Sequence, residues 1–190
     1  MTKIYALIDK GLLNSYKIDL KEFCNFLNEQ NISVAQYRNK SNNKNDILND
    51  LKTVKKYFNG TLIINDYIDY INYADGLHIG QEDLIKYGSI ENIKKKIGNK
   101  LLGLSTHNIS EIEIANKLDI DYIGLGAYRP TKTKNVSTIG GKQLLEISKK
   151  SIHKVAIIGG VKLSDSFDSY IAYKVIGSDL FRKFIELNKS

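Results

Sequence analysis

Short apolar runs alternate with longer amphipathic stretches along the chain. A buried strand of a parallel sheet reads as a short apolar run bounded by turn residues, whereas an amphipathic helix repeats apolar positions every three or four residues. The pattern predicts strands at 3–8, 32–37, 62–64, 76–79, 100–104, 121–125, 154–158 and 172–176. It predicts helices near 19–30, 46–58, 67–73, 90–97, 109–118, 140–150, 165–170 and 179–187. We therefore expect a chain that repeats one strand–helix unit.

The repeated strand–helix unit determines the expected fold. Such units form parallel sheets with right-handed crossovers, and eight of them close into a barrel. We predict an α/β protein that folds as a single compact (β/α)₈ TIM barrel over residues 1–190. A doubly wound open sheet is the alternative, but no Gly-x-Gly-x-x-Gly segment follows the first predicted strand to support it.

Composition narrows the class of protein. Hydrophobic residues make up 42% of the chain and charged residues 26%, and no apolar run reaches the roughly 18 residues that cross a bilayer. The amino terminus carries Asp9 and lacks the apolar core of a signal peptide, so we expect a cytoplasmic protein. The single cysteine, Cys24, lies between Phe23 and Leu27 in a helical pattern, which indicates a buried thiol rather than a nucleophile.

The chain carries a net charge of +7. A solvated surface accounts for much of this charge, but a positive field also attracts anionic substrates. The basic residues are scattered and accompany no zinc-finger, helix-turn-helix or stacking motif, so nucleic acid is the weaker hypothesis. We expect small-molecule partners, with no nucleic acid and no membrane.

Carboxylates follow two neighbouring predicted strands. Asn65 and Asp66 come after the third strand, and Gln81 and Asp83 come after the fourth. Ligands of parallel α/β folds bind at the carboxyl ends of the strands, so these side chains are expected at one rim. Carboxylates combined with substrate phosphates are the usual environment of Mg²⁺. The spacing predicts a Mg²⁺ site at Asp66 and Asp83, although an Asn-Asp pair alone is more often a turn or a helix cap.

Polar side chains alternate at the end of the second predicted strand. Gln36, Arg38 and Lys40 are spaced two residues apart, so they are expected to project to one side. The fork of an arginine and the point charge of a lysine together suit a phosphate group. Taken alone, the same residues also fit an exposed strand end.

The later strand ends offer hydroxyl groups and glycines. Each of these groups alone is explained as a cap or a loop, but their succession from strand to strand favours a ligand site whose glycines open the backbone to phosphate. The candidates at these ends are Ser105 after the fifth strand, Thr131, Thr133 and Lys134 after the sixth, Gly160 after the seventh, and Ile176 and Gly177 at the eighth.

Two histidines are interpreted as structural. His78 lies inside the fourth strand between Leu77 and Ile79, where a core or supporting role is more common than a catalytic one. His153 lies at the start of the seventh strand, away from the predicted rim.

Taken together, these segments resemble thiamine phosphate synthases. The matching segments are QYRNK at 36–40, IND at 64–66, ADGLHIGQEDL at 74–84, LGLSTHNISE at 102–111, DYIGLG at 121–126, PTKTK at 130–134 and IGG at 158–160. They occur in the order of that family, and GQED and PTKTK are its specific segments. The sequence departs from the family pattern at Ala127 and Gly177, where proline and serine are usual.

The resemblance implies a Mg²⁺-dependent transferase built on a (β/α)₈ barrel. Such an enzyme joins 4-amino-5-hydroxymethyl-2-methylpyrimidine diphosphate to a thiazole phosphate, giving thiamine phosphate and pyrophosphate. Pyrophosphate leaves first, and the thiazole nitrogen then attacks a stabilised pyrimidine cation, so no protein nucleophile is expected. The implied roles are catalysis by Arg38, Lys40, Ser105 and Lys134; pyrimidine diphosphate binding by these four with Gln36 and Asn65; Mg²⁺ binding by Asp66 and Asp83; and thiazole phosphate binding by Thr131, Thr133, Gly160, Ile176 and Gly177.

Two alternatives share the barrel. A thiazole tautomerase has a histidine at the position of His107, but its sequences typically lose the diphosphate and metal residues. A barrel that binds thiamine precursors as a regulator, without catalysis, is the other alternative. This chain keeps Arg38, Lys40, Asp66 and Asp83 together, which favours the synthase. The resemblance also implies a homodimer.

Overall fold

Parallel strands form a closed barrel in this protein. The computed structural model describes residues 2–41, 43–130 and 140–189. Within these residues the barrel order follows the chain: β1 Lys3–Asp9, β2 Val34–Arg38, β3 Thr61–Asn65, β4 Gly76–Ile79, β5 Leu101–Thr106, β6 Tyr122–Leu125, β7 Lys154–Ile157 and β8 Ile171–Ile176. β8 pairs in parallel with β1, which closes the sheet and excludes the open doubly wound alternative. The predicted (β/α)₈ barrel is confirmed.

Helices connect the strands and pack on the outside of the barrel. They are α1 Lys10–Tyr16, α2 Leu20–Glu29, α3 Lys44–Tyr57, α4 Gln81–Tyr87, α5 Ile90–Ile97, α6 Ile109–Ala115, α7 Lys142–Ser148 and α8 Ser178–Leu187, with a 3₁₀ helix at Ile68–Tyr73. Polar caps begin several of them, since a side-chain oxygen satisfies a free backbone N–H of the first turn. The Asp19 carboxylate accepts from Glu22 N at 3.0 Å, and the side-chain oxygen of Asn108 accepts from Glu111 N at 3.0 Å.

One predicted helix is absent, and two short helices were not predicted. The helix expected at 165–170 is absent, because Lys174 Nζ donates to the carbonyls of Leu163 at 2.6 Å and Asp165 at 2.9 Å and holds the segment as a loop. The short helices α1 and α4 were not expected, since each follows its strand with almost no linker. The carboxylate of Asp9 begins α1 by accepting from Leu12 N at 3.1 Å.

The hydrophobic core has two parts. The larger part lies between the strands and the helices and includes Phe23 and Phe181, which stack with ring centroids 4.3 Å apart. Cys24 is fully buried there, as expected, and burial raises the pKa of its thiol to about 12. The smaller part fills the barrel interior with Tyr5, Leu7, Ile63, Tyr122, Ala156 and Val175. No helix within the described residues is both long and apolar enough to cross a membrane.

Candidate active site at the carboxyl ends of the strands

The carboxyl ends of the strands surround one cavity. Its volume is about 420 Å³, within the roughly 300–1,000 Å³ typical of small-molecule sites. Residues from most of the strand ends meet there, as the strand-end reasoning predicted. The predicted candidates that line it are Gln36, Arg38, Lys40, Asn65, Asp66, Asp83, Ser105, Gly160 and Gly177.

The end of β2 supplies the basic side of the cavity. Gln36, Arg38 and Lys40 all line it, so the predicted alternation along the strand holds. Gln36 is buried and Lys40 is exposed at the rim. Arg38 Nη1 donates to Asp9 Oδ2 at 2.6 Å, and the carboxylate of Asp9 comes from the end of the adjacent strand β1. A basic side with one fixed arginine suits an anionic group.

Two carboxylates from neighbouring strand ends stand together on the next part of the rim. Asp66 follows β3 directly, and its backbone N–H donates to His78 O at 2.9 Å. Asp83 lies in the first turn of α4, and its Oδ2 accepts from Gly80 N at 3.1 Å. The side-chain amide of Asn65 donates to Asp66 Oδ2. Both carboxylates are therefore held by local hydrogen bonds and face the same cavity.

Asp66 has two features that are common at functional positions, a raised pKa and a left-handed backbone conformation. Its pKa is raised to about 6, because the surrounding protein removes water from part of its carboxylate and because the charge of Asp83 and a hydrogen bond to it favour the protonated form. The nearby charge of Arg38 acts in the opposite direction. Asp66 also adopts a left-handed backbone conformation with φ +67°, and such strain in a residue other than glycine is concentrated at functional sites.

A chain of hydrogen bonds crosses the barrel interior below the rim. Gln36 Nε2 donates to the Tyr5 hydroxyl at 3.0 Å, which lies 3.0 Å from the Tyr122 hydroxyl. That hydroxyl lies 3.0 Å from His78 Nδ1, and His78 Nε2 lies 3.0 Å from Ser105 Oγ. This series of hydrogen bonds links two predicted pyrimidine-binding residues, Gln36 and Ser105, and fixes the orientation of their side chains. Burial raises the pKa of both tyrosines, so their hydroxyls stay protonated.

Glycines in strands β5 and β6 make room for the side chains of this hydrogen-bond series. A Cβ atom at Gly103 would lie 2.1 Å from Tyr122 Cζ, and one at Gly124 would lie 2.9 Å from His78 Cε1. Such distances are too short for any side chain. The absence of a side chain at Gly124 therefore leaves room for the imidazole ring of His78. The structural interpretation of His78 agrees with its contacts, although the residue also lines the cavity.

The opposite side of the cavity is built from backbone. Tyr128 N donates to Ile158 O at 2.8 Å and Arg129 N donates to Gly159 O at 2.9 Å, so the segment after β6 lies along the segment after β7. Gly160 has φ +61°, and a Cβ atom there would lie 2.7 Å from Arg129 Cβ. Only glycine fits this close approach.

An ion pair fastens the same side. Arg129 Nη1 and Nη2 donate to Asp165 Oδ2 at 2.6 Å and Oδ1 at 3.0 Å, and Nη1 also donates to Gly160 O at 3.1 Å. Asp165 Oδ2 accepts from Lys162 N at 2.8 Å. The guanidinium lowers the pKa of the Asp165 carboxyl below its usual range, with partial burial acting against it.

Four predicted candidates are not seen in the cavity. Thr131, Thr133 and Lys134 lie outside the described residues. Ile176 is fully buried in the outer core, and it is the backbone of its neighbour Gly177 that reaches the cavity.

The other two histidines have separate places. His107 lines the cavity, and its Nδ1 lies 2.9 Å from Glu111 Oε2. His153 packs elsewhere, with Nε2 lying 3.0 Å from Ala115 O.

Comparisons with known proteins place the chain in a family. The family model described as thiamine monophosphate synthase matches residues 4–175. The chain belongs to the thiamine monophosphate synthase family.

Individual relatives agree with the family model. The chain is 36% identical over 137 residues to a thiamine-phosphate synthase of Lawsonia intracellularis, covering 69% of this chain and 60% of that protein. It is 33% identical over 195 residues to one of Methanosarcina mazei, covering 94% of this chain and 78% of that protein. A solved thiamine phosphate pyrophosphorylase from Pyrococcus furiosus has the same fold, with a TM-score of 0.74, 21% identity, and coverage of 99% and 97% of the two chains.

The carboxylate pair of this thiamine monophosphate synthase family member fits one kind of metal site. No group of three or more Asp, Glu, His or Cys side chains that could hold a metal occurs among the described residues. Mg²⁺ commonly takes one or two carboxylates and completes its shell with water and substrate phosphates. Asp66 and Asp83 provide such a pair. Burial is the main cause of the raised pKa of Asp66 and the charge of Asp83 is the next, and a cation between the two carboxylates would offset that charge.

The sequence interpretation of this family member missed Tyr5 and Tyr122, which line the cavity, and Asp9, which pairs with the cavity residue Arg38. Asp9 ends β1, so the rule that strand ends carry ligand residues, applied to the first strand, identifies it. Tyr5 and Tyr122 lie within strands, where a tyrosine reads as an ordinary core residue. Nothing in their local sequence marks the hydrogen bond between their hydroxyls.

Proposed function

We propose that this member of the thiamine monophosphate synthase family joins 4-amino-5-hydroxymethyl-2-methylpyrimidine diphosphate to a thiazole phosphate. The observation that carries the proposal is the meeting of two cations, Arg38 and Lys40, with two carboxylates, Asp66 and Asp83, in one cavity. These four side chains come from the ends of three neighbouring strands. This set suits a diphosphate leaving group, and the names of the relatives agree with it.

The basic side of the cavity would stabilise the leaving group. As the bond between the pyrimidine methylene carbon and the diphosphate oxygen breaks, its electron pair goes to the diphosphate, whose negative charge grows. Arg38 and Lys40 are positioned to bind that charge, and fixed charges in a partly enclosed site stabilise a transition state more than they do in water. Lys134 is proposed for the same role from the sequence.

We propose that Asp66 and Asp83 hold Mg²⁺ together with the diphosphate. When bound, Mg²⁺ supplies positive charge to the departing diphosphate oxygens. The two carboxylates themselves keep a negative site next to the basic one, which selects a complex of cation and diphosphate over a free anion. The side-chain amide of Asn65, which donates to Asp66 Oδ2, would help to hold this carboxylate at the rim.

The buried hydrogen-bond chain would orient the pyrimidine. Gln36 and Ser105 stand at its two ends, and Asn65 lies beside Asp66. Polar groups already held by neighbours lose little entropy on binding, so they orient a substrate ring efficiently. The thiazole nitrogen would then form the new bond to the methylene carbon.

The backbone side would receive the thiazole phosphate. Gly160 and Gly177 line it, and exposed backbone N–H groups are common phosphate ligands. Thr131 and Thr133 are proposed as further ligands from the sequence, and Ile176 as a backbone neighbour. In this arrangement two anionic groups approach from opposite sides of one cavity.

The experiment that tests this function is pyrophosphate release. Purified protein receives both substrates, each substrate alone, and both substrates with a chelator in place of Mg²⁺. Release that requires both substrates and the metal supports the synthase. Isomerisation of a thiazole carboxylate phosphate without pyrophosphate release supports the tautomerase, and binding without any turnover supports the regulator.

A matched pair of lysine variants sharpens the assay. Lys40→Met removes a cation that lines the cavity, whereas Lys44→Met removes one on the first turn of α3. Loss of one charge-assisted contact with the leaving group is expected to lower kcat/KM about 10- to 100-fold in the first variant only. Equal activity of the two variants contradicts the assignment of the basic side. The homodimer and the cytoplasmic location stay predictions.

A further inference from the structure

Among the described residues, the ion pair between Asp9 and Arg38 is the most enclosed charged contact beside the cavity. Arg38 Nη1 and Asp9 Oδ2 are 2.6 Å apart, and the side chains are only 11% and 10% exposed. The two residues are register partners at the ends of β1 and β2. An arginine this enclosed needs a partner, because an unpaired charge removed from water is costly.

Asp9 is itself fixed by a second contact. Its Oδ1 accepts from Leu12 N at 3.1 Å, so one oxygen caps α1 while the other holds the guanidinium. Both carboxylate oxygens are therefore committed, and the carboxylate cannot rotate without losing one contact. This makes Asp9 a rigid anchor for the long side chain of Arg38.

The anchor matters because another acidic pair competes for the same guanidinium. Arg38 is near enough to Asp66 for its charge to act on that carboxyl. An arginine released from Asp9 would be drawn towards Asp66 and Asp83, where it would occupy the place proposed for the cation. The pair with Asp9 keeps the positive group and the carboxylate pair apart.

We propose that Asp9 is a positioning residue that holds the Arg38 guanidinium in the orientation that receives an anionic diphosphate. The inference rests on the proposed function, since it assumes that a diphosphate binds at the basic side. A neighbouring ion pair supports the inference that Asp9 does more than join β1 to β2. Lys10 Nζ lies 2.7 Å from Asp50 Oδ2 and already ties the start of α1 to α3, and neither residue lines the cavity.

The test uses the Asp9→Asn variant. An asparagine keeps the shape and an oxygen that can cap α1, but it removes the charge that holds Arg38. We expect kcat/KM for the pyrimidine diphosphate to fall about 10- to 100-fold, because small misplacement of a binding group has effects of this size. KM for the thiazole phosphate is expected to stay within about twofold, which a general structural defect would not produce.

The matched control is Asp19→Asn. Asp19 caps α2 in the same way, accepting from Glu22 N at 3.0 Å, and it lies away from the cavity. This variant repeats the loss of a capping charge without touching Arg38. We expect it to keep the kinetics of the original protein.

A double-mutant cycle distinguishes action through Arg38 from direct action. Affinity for inorganic pyrophosphate with Mg²⁺ is measured by calorimetry in the original chain, Asp9→Asn, Arg38→Met and the double variant. If Asp9 acts through Arg38, the Asp9→Asn change weakens binding about tenfold or more in the original chain and less than about twofold beside Arg38→Met. Equal losses in both backgrounds overturn the inference.

The outcomes separate this inference from the function on which it rests. Turnover and pyrophosphate binding in the original chain with no change in Asp9→Asn overturn the positioning role alone. An original chain that neither releases nor binds pyrophosphate overturns the proposed function and the positioning role with it.

Discussion

The two sides of the cavity mouth are built from different kinds of groups. The side formed by β2, β3 and β4 presents charged side chains: Arg38, Lys40, Asp66 and Asp83. Among the residues that the structure describes, the side formed by β6, β7 and β8 presents mainly backbone and small residues: Gly126, Ala127, Gly159, Gly160 and Gly177. One barrel therefore combines a site built from charge with a site built from close approach.

The difference between the two sides indicates which of them controls the chemical step and which controls substrate affinity. Charged groups fixed in a partly enclosed site act most strongly where charge develops, so the side-chain half is expected to control the chemical step. A backbone cradle recognises shape and phosphate oxygens without adding net charge, so the glycine half is expected to control the affinity for the second substrate. Substitutions on the two sides should then affect different kinetic constants.

The largest effect is expected on the side-chain half. In the variant with Asp66→Asn and Asp83→Asn, Mg²⁺-dependent turnover should fall at least about 100-fold, because two neutral amides no longer attract a cation beside the diphosphate. Asparagine tolerates the left-handed backbone of Asp66, so the fold should remain. Steady-state pyrophosphate release over a Mg²⁺ series measures the effect.

A carboxylate control removes the same charge elsewhere. Asp69→Asn with Asp119→Asn changes two exposed acids that do not line the cavity. This variant should keep the activity of the original protein. Undiminished Mg²⁺-dependent turnover in the variant with Asp66→Asn and Asp83→Asn would make the metal assignment wrong.

The same contrast explains what the sequence could predict. The eight strands, the barrel and the meeting of Arg38, Lys40, Asp66 and Asp83 follow from periodicity and from the rule that strand ends share a rim. The charge of a side chain can be read directly from the residue type, so Arg38, Lys40, Asp66 and Asp83 were each predicted individually. The exception is Asp9, whose partner Arg38 is distant in sequence and adjacent only across two strands.

Contacts between distant loops explain what the sequence could not predict. The segment at 165–170 reads as a helix, but Lys174 binds the carbonyls of Leu163 and Asp165. The pair of Arg129 with Asp165 joins residues from two loops that have no common pattern. Tertiary contacts of this kind override local propensity, and they are concentrated in the backbone half.

A glycine substitution in the backbone half of the cavity should have an intermediate effect on stability and substrate affinity. Gly160→Ala places a Cβ atom 2.7 Å from Arg129 Cβ at a residue with φ +61°. We expect the free energy of unfolding to fall by about 1–3 kcal/mol and KM for the thiazole phosphate to rise about tenfold. KM for the pyrimidine diphosphate should change little. Urea denaturation and steady-state kinetics measure the two effects.

A second glycine separates backbone strain from crowding. Gly98 has nearly the same φ, +62°, and no atom lies within 4 Å of a Cβ atom built there. Gly98→Ala should therefore lower stability by about 1–3 kcal/mol through backbone strain alone and leave both KM values unchanged. Equal kinetic effects of the two substitutions would show that Gly160 has no special place in the site.

The smallest effect is expected at the ion pair of the backbone half. The guanidinium of Arg129 lowers the pKa of Asp165, so the folded state binds its proton less readily than the unfolded state does. The pair therefore stabilises the protein above the ordinary pKa of 3.8, and this contribution is lost as the pH falls through the lower pKa of the folded state.

Asp165→Asn should lower the free energy of unfolding by about 0.5–1 kcal/mol at neutral pH, since Arg129 is partly exposed to solvent, and the difference should shrink below about pH 3.5. Urea denaturation across this pH range measures it, with Asp168→Asn as the control for loss of an exposed charge in the same loop. A difference that stays constant down to the acid limit would mean that the Asp165 side chain acts by packing and not by its charge.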